Sequence, residues 1–159
     1  MAAGVRADAN VEGRRERTKS MNVSVWGFDI AIEQGRIAAS EAAIREQLRE
    51  YERGDRAAFD LGVRVPDSFT GTVMDAMADI PYGETRTYGE LAGEIGTEAV
   101  AVGQACGRNP VPILIPCHRV VGADSLGGFS AGGDRAMELK NALLDHERRS
   151  SQSTLEAYR

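Results

Sequence analysis

A chain of 159 residues, 42% hydrophobic and 6% aromatic, holds enough apolar material for one sizeable core or two small ones. Its formal net charge of −5 and its two lysines exclude the broad basic stripe on which electrostatic nucleic-acid binders rely. No apolar run approaches the roughly twenty residues that cross a bilayer, so no membrane association is expected, and two cysteines without an apolar leader point to a reducing, cytoplasmic location.

Residues 1–20 are rich in Ala, Gly, Arg and Glu without periodicity and read as a disordered tail. A small α/β unit follows over 21–67. Val23 and Val25, then Phe28, Ile30 and Ile32, alternate at period two with a phase slip at Trp26-Gly27, the pattern of a bulged strand or a hairpin. Gln34-Gly35 is a turn. Ser40 caps a helix on which Ile44, Leu48 and Tyr51 fall at i, i+4 and i+7, one buried stripe. No polar constellation falls in this unit, which reads as a structural brace without chemistry.

From 68 to 149 the chain becomes mainly helical and rich in small residues. Phe69, Val73, Ala76 and Met77 share one face of a helix that Ile80-Pro81 and the Tyr82-Gly83 turn bring to an end. Thr87-Tyr88-Gly89-Glu90 is a capping box, in which hydroxyl and carboxylate each satisfy a free backbone amide. That helix ends at Gly93 or shortly after. The next, Glu98 to Gly107, is nearly all Ala, Val and Gly, and two short helices about a glycine-containing turn suggest a helix-turn-helix. Residues 150–159 read as a second tail.

The strongest chemical signal is Pro116-Cys117-His118-Arg119-Val120. An apolar stretch from Val111 to Ile115 meets Pro116, which fixes φ and donates no backbone hydrogen bond. The chain then presents a thiol beside an imidazole. A cysteine at a helix start next to a histidine is expected to have a lowered pKa and to supply a thiolate nucleophile. A buried, inert thiol is the alternative, and on residue types alone the two readings stand level. Cys106, Cys117, His118 and His146 lack metal-ligand spacing, so no metal is expected. A Cys106–Cys117 disulfide would use up the nucleophile.

Asn109-Pro110 ahead of Pro116-Cys117-His118-Arg119-Val120 resembles the active-site segment of the O6-alkylguanine-DNA alkyltransferases, the methylated-DNA–protein-cysteine methyltransferases. The resemblance runs from about Phe69 to Glu147. It takes in Ile80-Pro81-Tyr82-Gly83-Glu84-Thr85, Gly132-Gly133 and Lys140-x-x-Leu143-Leu144-x-His146-Glu147. It implies a small α/β domain ahead of a winged-helix domain, whose recognition helix enters the minor groove with Gly103 and Ala105 allowing close backbone approach. It implies a monomeric, cofactor-free DNA repair protein acting on double-stranded DNA that contains O6-alkylguanine. The damaged base would be flipped out and its alkyl group transferred irreversibly, once per molecule, to Cys117. His118 would take the thiol proton through a water, and Glu147 would orient and charge-stabilise that imidazole. Asn109 would tie the recognition helix to the active-site turn, and Tyr88 would contact the flipped base or its phosphate and protonate the leaving guanine. Arg119 would form a structural ion pair, and backbone groups around Val120 would bond the guanine edge.

Four departures from the family pattern stand out. The family's arginine finger falls on Val100, with no Arg between Arg86 and Arg108; an apolar wedge can fill an opened stack but brings no cation. The turn before the recognition helix is about two residues short. Gly128-Phe129-Ser130-Ala131-Gly132-Gly133 replaces Gly-Tyr-x-Gly-Gly, leaving the aromatic place to Phe129 or Ser130. About three extra residues between Gly133 and Lys140 must be absorbed locally if Glu147 is to reach the site. From Phe69 to Glu147 five basic residues face eleven acidic ones, a balance compatible with a salt-loving host. Two other readings compete with alkyl transfer. A lesion-binding relative without transfer would have replaced the cysteine, and a cysteine hydrolase usually draws its partners from separate segments.

Overall fold

The computed structural model describes residues 19–157; residues 1–18 and 158–159, within the two expected tails, lie outside the described residues. Strands β1 (Ser20–Val25) and β2 (Phe28–Glu33) pair antiparallel, from Ser20 opposite Glu33 to Val25 opposite Phe28. The phase slip between them is a two-residue hairpin turn rather than a bulge. Trp26 and Gly27 both have positive φ, +48° and +82°, the handedness that matches the right-handed twist of the flanking strands. Met21, Val23, Val25, Phe28, Ile30 and Ile32 face the core, and the alternate residues face out.

After a 3-10 turn at Gln34–Arg36, helix α1 (Glu41–Arg53) starts where Ser40 Oγ accepts from the Ala43 N–H and stops at Gly54, whose φ is +83°. Its buried residues are Ile44, Leu48 and Tyr51, the stripe that the sequence spacing predicts. Helix α2 (Phe69–Ala78) departs from expectation. It buries Gly71, Val73, Met74 and Met77, while Phe69 is 38% exposed and Ala76 only partly buried. The reason lies at Gly71, where a Cβ would stand 1.8 Å from the Pro66 carbonyl oxygen. The residue of closest approach has no side chain, so a count of apolar residues misses the edge formed by Gly71, Met74 and Met77.

Strand β3 (Arg86–Thr87) pairs parallel with β4 (Val120–Val121). Between them, helix α3 (Tyr88–Ile95) opens with the expected capping box, Thr87 Oγ1 accepting from Glu90 N–H at 3.0 Å and Glu90 Oε1 from Thr87 N–H at 2.8 Å. It ends at Gly96 (φ +88°), and helix α4 (Ala99–Gly107) follows. A loop over 108–116 then delivers a 3-10 turn, Cys117–Arg119, into β4. The final helix, α5 (Ala136–Ala157), runs past 149, where a tail was expected. Residues 150–157 contain no Gly or Pro to break it, and Asp145 pairs with Arg148 and Arg149 across one turn. One apolar cluster joins the hairpin and α1 to α2–α5, from Val25 and Tyr51 through Met74 and Val102 to Leu143. Among the described residues no helix is long and apolar enough to cross a membrane.

Gly71→Ala should destabilise the fold by about 3 kcal/mol, the upper end of overpacking costs, because the obstruction is backbone. Urea unfolding of the variant against the wild type measures it.

Candidate active site

Cys117 opens a three-residue 3-10 turn, not an α-helix, and is 6% exposed. Burial pushes its thiol up to about 11, although a hydrogen bond with Asn109 and the charge of Lys140 pull the other way. The lowered thiol pKa expected from the sequence is therefore wrong for this state. So short a turn has no macrodipole to offer, and the neighbouring imidazole is uncharged.

His118 is completely buried. Its Nε2 lies 2.7 Å from Glu147 Oε2, and its Nδ1 has no hydrogen-bond partner among the described residues. Burial lowers its pKa; the hydrogen bond and charge of Glu147 oppose this, and Arg119 and Lys140 reinforce it. The ring is neutral. With an ionised carboxylate at Nε2, the proton sits there and Nδ1 keeps the free lone pair.

Glu147 reaches this position because a 3-10 turn at Gly133–Arg135 and the start of α5 absorb the extra residues. Its carboxylate also accepts from Arg119 Nε and Nη2, both at 2.9 Å, from the Tyr51 hydroxyl at 2.7 Å and from the Gly83 N–H at 3.2 Å. Burial pushes its pKa up, but the hydrogen bonds of His118 and Arg119 and the charge of Arg119 outweigh that and hold it well below the carboxylate range. Since His118 is neutral, the countercharge is the Arg119 guanidinium, whose Nη1 donates to the Ile80 carbonyl at 2.7 Å.

Asn109 closes the loop ahead of Cys117. Its Nδ2 donates to Ile115 O at 2.8 Å and its Oδ1 accepts from Val111 N–H at 3.0 Å, across Ile113 at φ +75°. Tyr88, first residue of α3, meets the loop after β4: its hydroxyl accepts from Gly128 N–H at 3.1 Å and donates to Gly128 O at 3.4 Å. Gly127 (φ +80°) makes this approach feasible, since a Cβ there would lie 2.7 Å from Tyr88. Tyr88, Gly103, Cys106, Cys117, Phe129 and Ser130 enclose much of a cavity of about 300 Å³. Phe129 and Ser130 thus both line it. A second cleft of about 530 Å³ shares Cys106, Cys117 and Ser130 with it and extends to Pro112 and the outward face of the hairpin at Asn22 and Asp29.

Three sequence-based assignments need correction or addition. Ala105 is completely buried with Val102 on α4's inner stripe, so it cannot offer a surface for backbone approach; Gly103 faces Tyr88, and Val100 stands 72% exposed. The Val120 N–H is engaged with Cys117 O and its carbonyl accepts from Lys140 Nζ, so what this residue has left for a guanine edge is the second lone pair of that carbonyl. Lys140 itself has no role assigned from sequence. It is fully buried, its Nζ donating to Val120 O at 2.7 Å and Gly128 O at 2.9 Å, and burial lowers its ammonium pKa to about 8. The signal was available: a lysine sits beside Leu139 on the apolar face of α5, one turn before Leu143. No group of three or more His, Cys, Asp or Glu suited to a metal occurs among the described residues.

Residues 68–149 match the profile of 6-O-methylguanine DNA methyltransferase, DNA binding domain. The chain belongs to the methylated-DNA–protein-cysteine methyltransferase family. It is 46% identical over 114 residues to the enzyme of that name from Mycolicibacterium paratuberculosis, covering 69% of this chain and 67% of that one. To the Archaeoglobus fulgidus enzyme it is 36% identical over 136 residues, covering 75% and 92%. Among solved structures, Mycobacterium tuberculosis OGT in complex with DNA superposes with a TM-score of 0.63 at 41% identity, covering 69% of this chain and 68% of that one. The M. tuberculosis O6-methylguanine methyltransferase gives 0.70 at 28% identity, covering 84% and 94%. This methyltransferase therefore shares their mixed architecture of helices and small sheets.

The depressed pKa of Glu147 sets a sign for acid stability. Its contribution is complete above the ordinary carboxylate range and is lost as the pH falls toward the lowered value. Glu147→Gln, which leaves Arg119 buried without its countercharge, should cost about 3 kcal/mol at pH 7 and show a flatter decline below pH 5 than the wild type. Urea midpoints measured from pH 7 to pH 3 test both.

Proposed function

We propose that this methyltransferase repairs DNA by moving an alkyl group from O6-alkylguanine in double-stranded DNA to Cys117, irreversibly and once per molecule. The observation that carries this reading is a cavity with a thiol in its wall, next to a neutral imidazole whose far nitrogen is held by a carboxylate. The helix pair α3–α4 with the short β3–β4 ladder supports a winged-helix reading, α4 entering the minor groove with Val100 as an apolar wedge. The base is flipped into the cavity between Tyr88 and Phe129.

Cys117 rests as a thiol, so its proton must leave as the sulfur attacks. His118 Nδ1 has the free lone pair but no contact with the sulfur, and a water carries the proton between them. The S–C bond forms as the C–O6 bond breaks. Glu147 orients the imidazole and offsets its new charge, and the Tyr88 hydroxyl protonates the departing guanine. The product is a thioether that no group in the site can hydrolyse, hence one turnover. Arg119 anchors Glu147, and Asn109 holds the loop that presents Cys117. A lesion-binding protein without transfer has no use for the retained thiol.

An oligonucleotide carrying labelled O6-methylguanine should give up no more than one equivalent of methyl to the protein, all of it on Cys117. Cys117→Ala should bind the DNA and take none. Sustained turnover or label on Cys106 would overturn the assignment, and retention of the lesion by the wild type without transfer would favour the lesion-binding reading.

The exposed position of Val100 generates a second expectation. Val100→Arg adds a cation to a helix that has none, and should strengthen lesion-DNA binding at low salt by about 1 kcal/mol. The gain should shrink as salt rises through screening. A salt titration of binding by both proteins checks it.

A further inference from the structure

The first unit, expected to be chemically silent, sends one polar atom into the site. Tyr51 of α1 is completely buried, and its ring packs against Trp26, Phe59, Tyr82 and His146 at centroid distances of 5.2–6.3 Å. Its carbonyl accepts from His146 Nε2 at 2.9 Å. A phenylalanine would fill this space equally well. The hydroxyl adds a buried polar group, which costs free energy unless it is bonded, and among the described residues its partner is Glu147 Oε2 at 2.7 Å. The same oxygen faces His118 Nε2 at 2.7 Å and Arg119 Nη2 at 2.9 Å.

We propose that Tyr51 is a positioning residue of the alkyl transfer, its hydroxyl fixing the Glu147 carboxylate and drawing charge away from His118. The inference rests on the reaction proposed above. Three donors converge on one carboxylate oxygen, so charge given to the phenol is withheld from the imidazole. Burial and the Glu147 charge push the Tyr51 phenol well above its ordinary range, so it stays a donor at every working pH. The other groups facing this pair are Arg119, Tyr82 and the Gly83 N–H around Glu147, with Arg119 and Lys140 around His118. The phenol therefore helps keep His118 neutral and ready to accept the thiol proton.

Tyr51→Phe tests this while retaining the ring. Without the hydroxyl more of the carboxylate charge falls on His118, whose proton affinity rises. Because His118 acts in its neutral form, the acid limb of the single-turnover rate should move to higher pH. The expected shift is about 0.5–1 pH unit, a part of what one hydrogen bond to a carboxylate contributes. An NMR titration of the His118 ring in the DNA-free protein should move upward by the same amount. A lowered melting temperature with an unchanged His118 midpoint and acid limb would make Tyr51 a packing residue and overturn the proposal, as would a shift to lower pH. If the wild type transfers no methyl at all, the reading of the reaction fails, while the ring titration still decides whether the Tyr51 hydroxyl reaches His118.

Discussion

Glu147 is a carboxylate with 1% of its side chain exposed, and the rest of the protein is arranged around the cost of that burial. An ion so placed loses several kcal/mol of hydration, recovered only when the geometry is good and the remaining lone pairs are occupied. Here the donors come from three places in the sequence: α1 through Tyr51, the turn before β3 through Gly83, and the 3-10 turn through His118 and Arg119, while α5 supplies the acid itself. Loss of any of these elements would leave a buried charge short of partners. Helix α1 is thus bound to the remaining helices by electrostatic necessity as well as by the apolar core that the hairpin shares.

Burial likewise governs the nucleophile and the base of the proposed reaction. Cys117 is held as a thiol and His118 as a neutral ring, while Lys140 keeps a weakened ammonium bonded to two carbonyls. In the proposed reaction this means that the thiolate is generated as the resident base takes its proton, when substrate arrives. A permanently ionised sulfur would be open to oxidants and to any soft electrophile, and a protein that reacts once has no means to recover from such a loss.

Features with local causes were legible in the sequence. The capping box at Thr87, the Ser40 cap, the Ile44–Leu48–Tyr51 stripe and the break at Trp26-Gly27 each depend on neighbours within a few residues. The Pro-Cys-His-Arg-Val run pointed to the site for the same reason. Properties that depend on burial were not legible. Periodicity marks Tyr51 as an apolar position and says nothing of where its hydroxyl ends; it passes over Lys140 because a lysine reads as solvent-facing. At Gly71 the decisive contact is made by a missing side chain. The thiol pKa departs from the expectation because the motif suggests a helix start beside a histidine, whereas the fold supplies a short 3-10 turn, an uncharged imidazole and a burial that outweighs the Lys140 charge.

The Tyr88–Gly128 contact has a mechanical consequence. Gly128 is held at its carbonyl by the Lys140 ammonium at 2.9 Å, and at the same carbonyl and its N–H by the Tyr88 hydroxyl at 3.4 and 3.1 Å. Anything that claims the Tyr88 hydroxyl exchanges the two longer bonds for its own and leaves the shorter, charge-assisted one in place. The loop is thus built as a latch whose catch is weak and whose pin is strong. The Tyr88 side can let go while Lys140 keeps the chain in register, so the cavity can be entered without loosening the wall that carries Cys117.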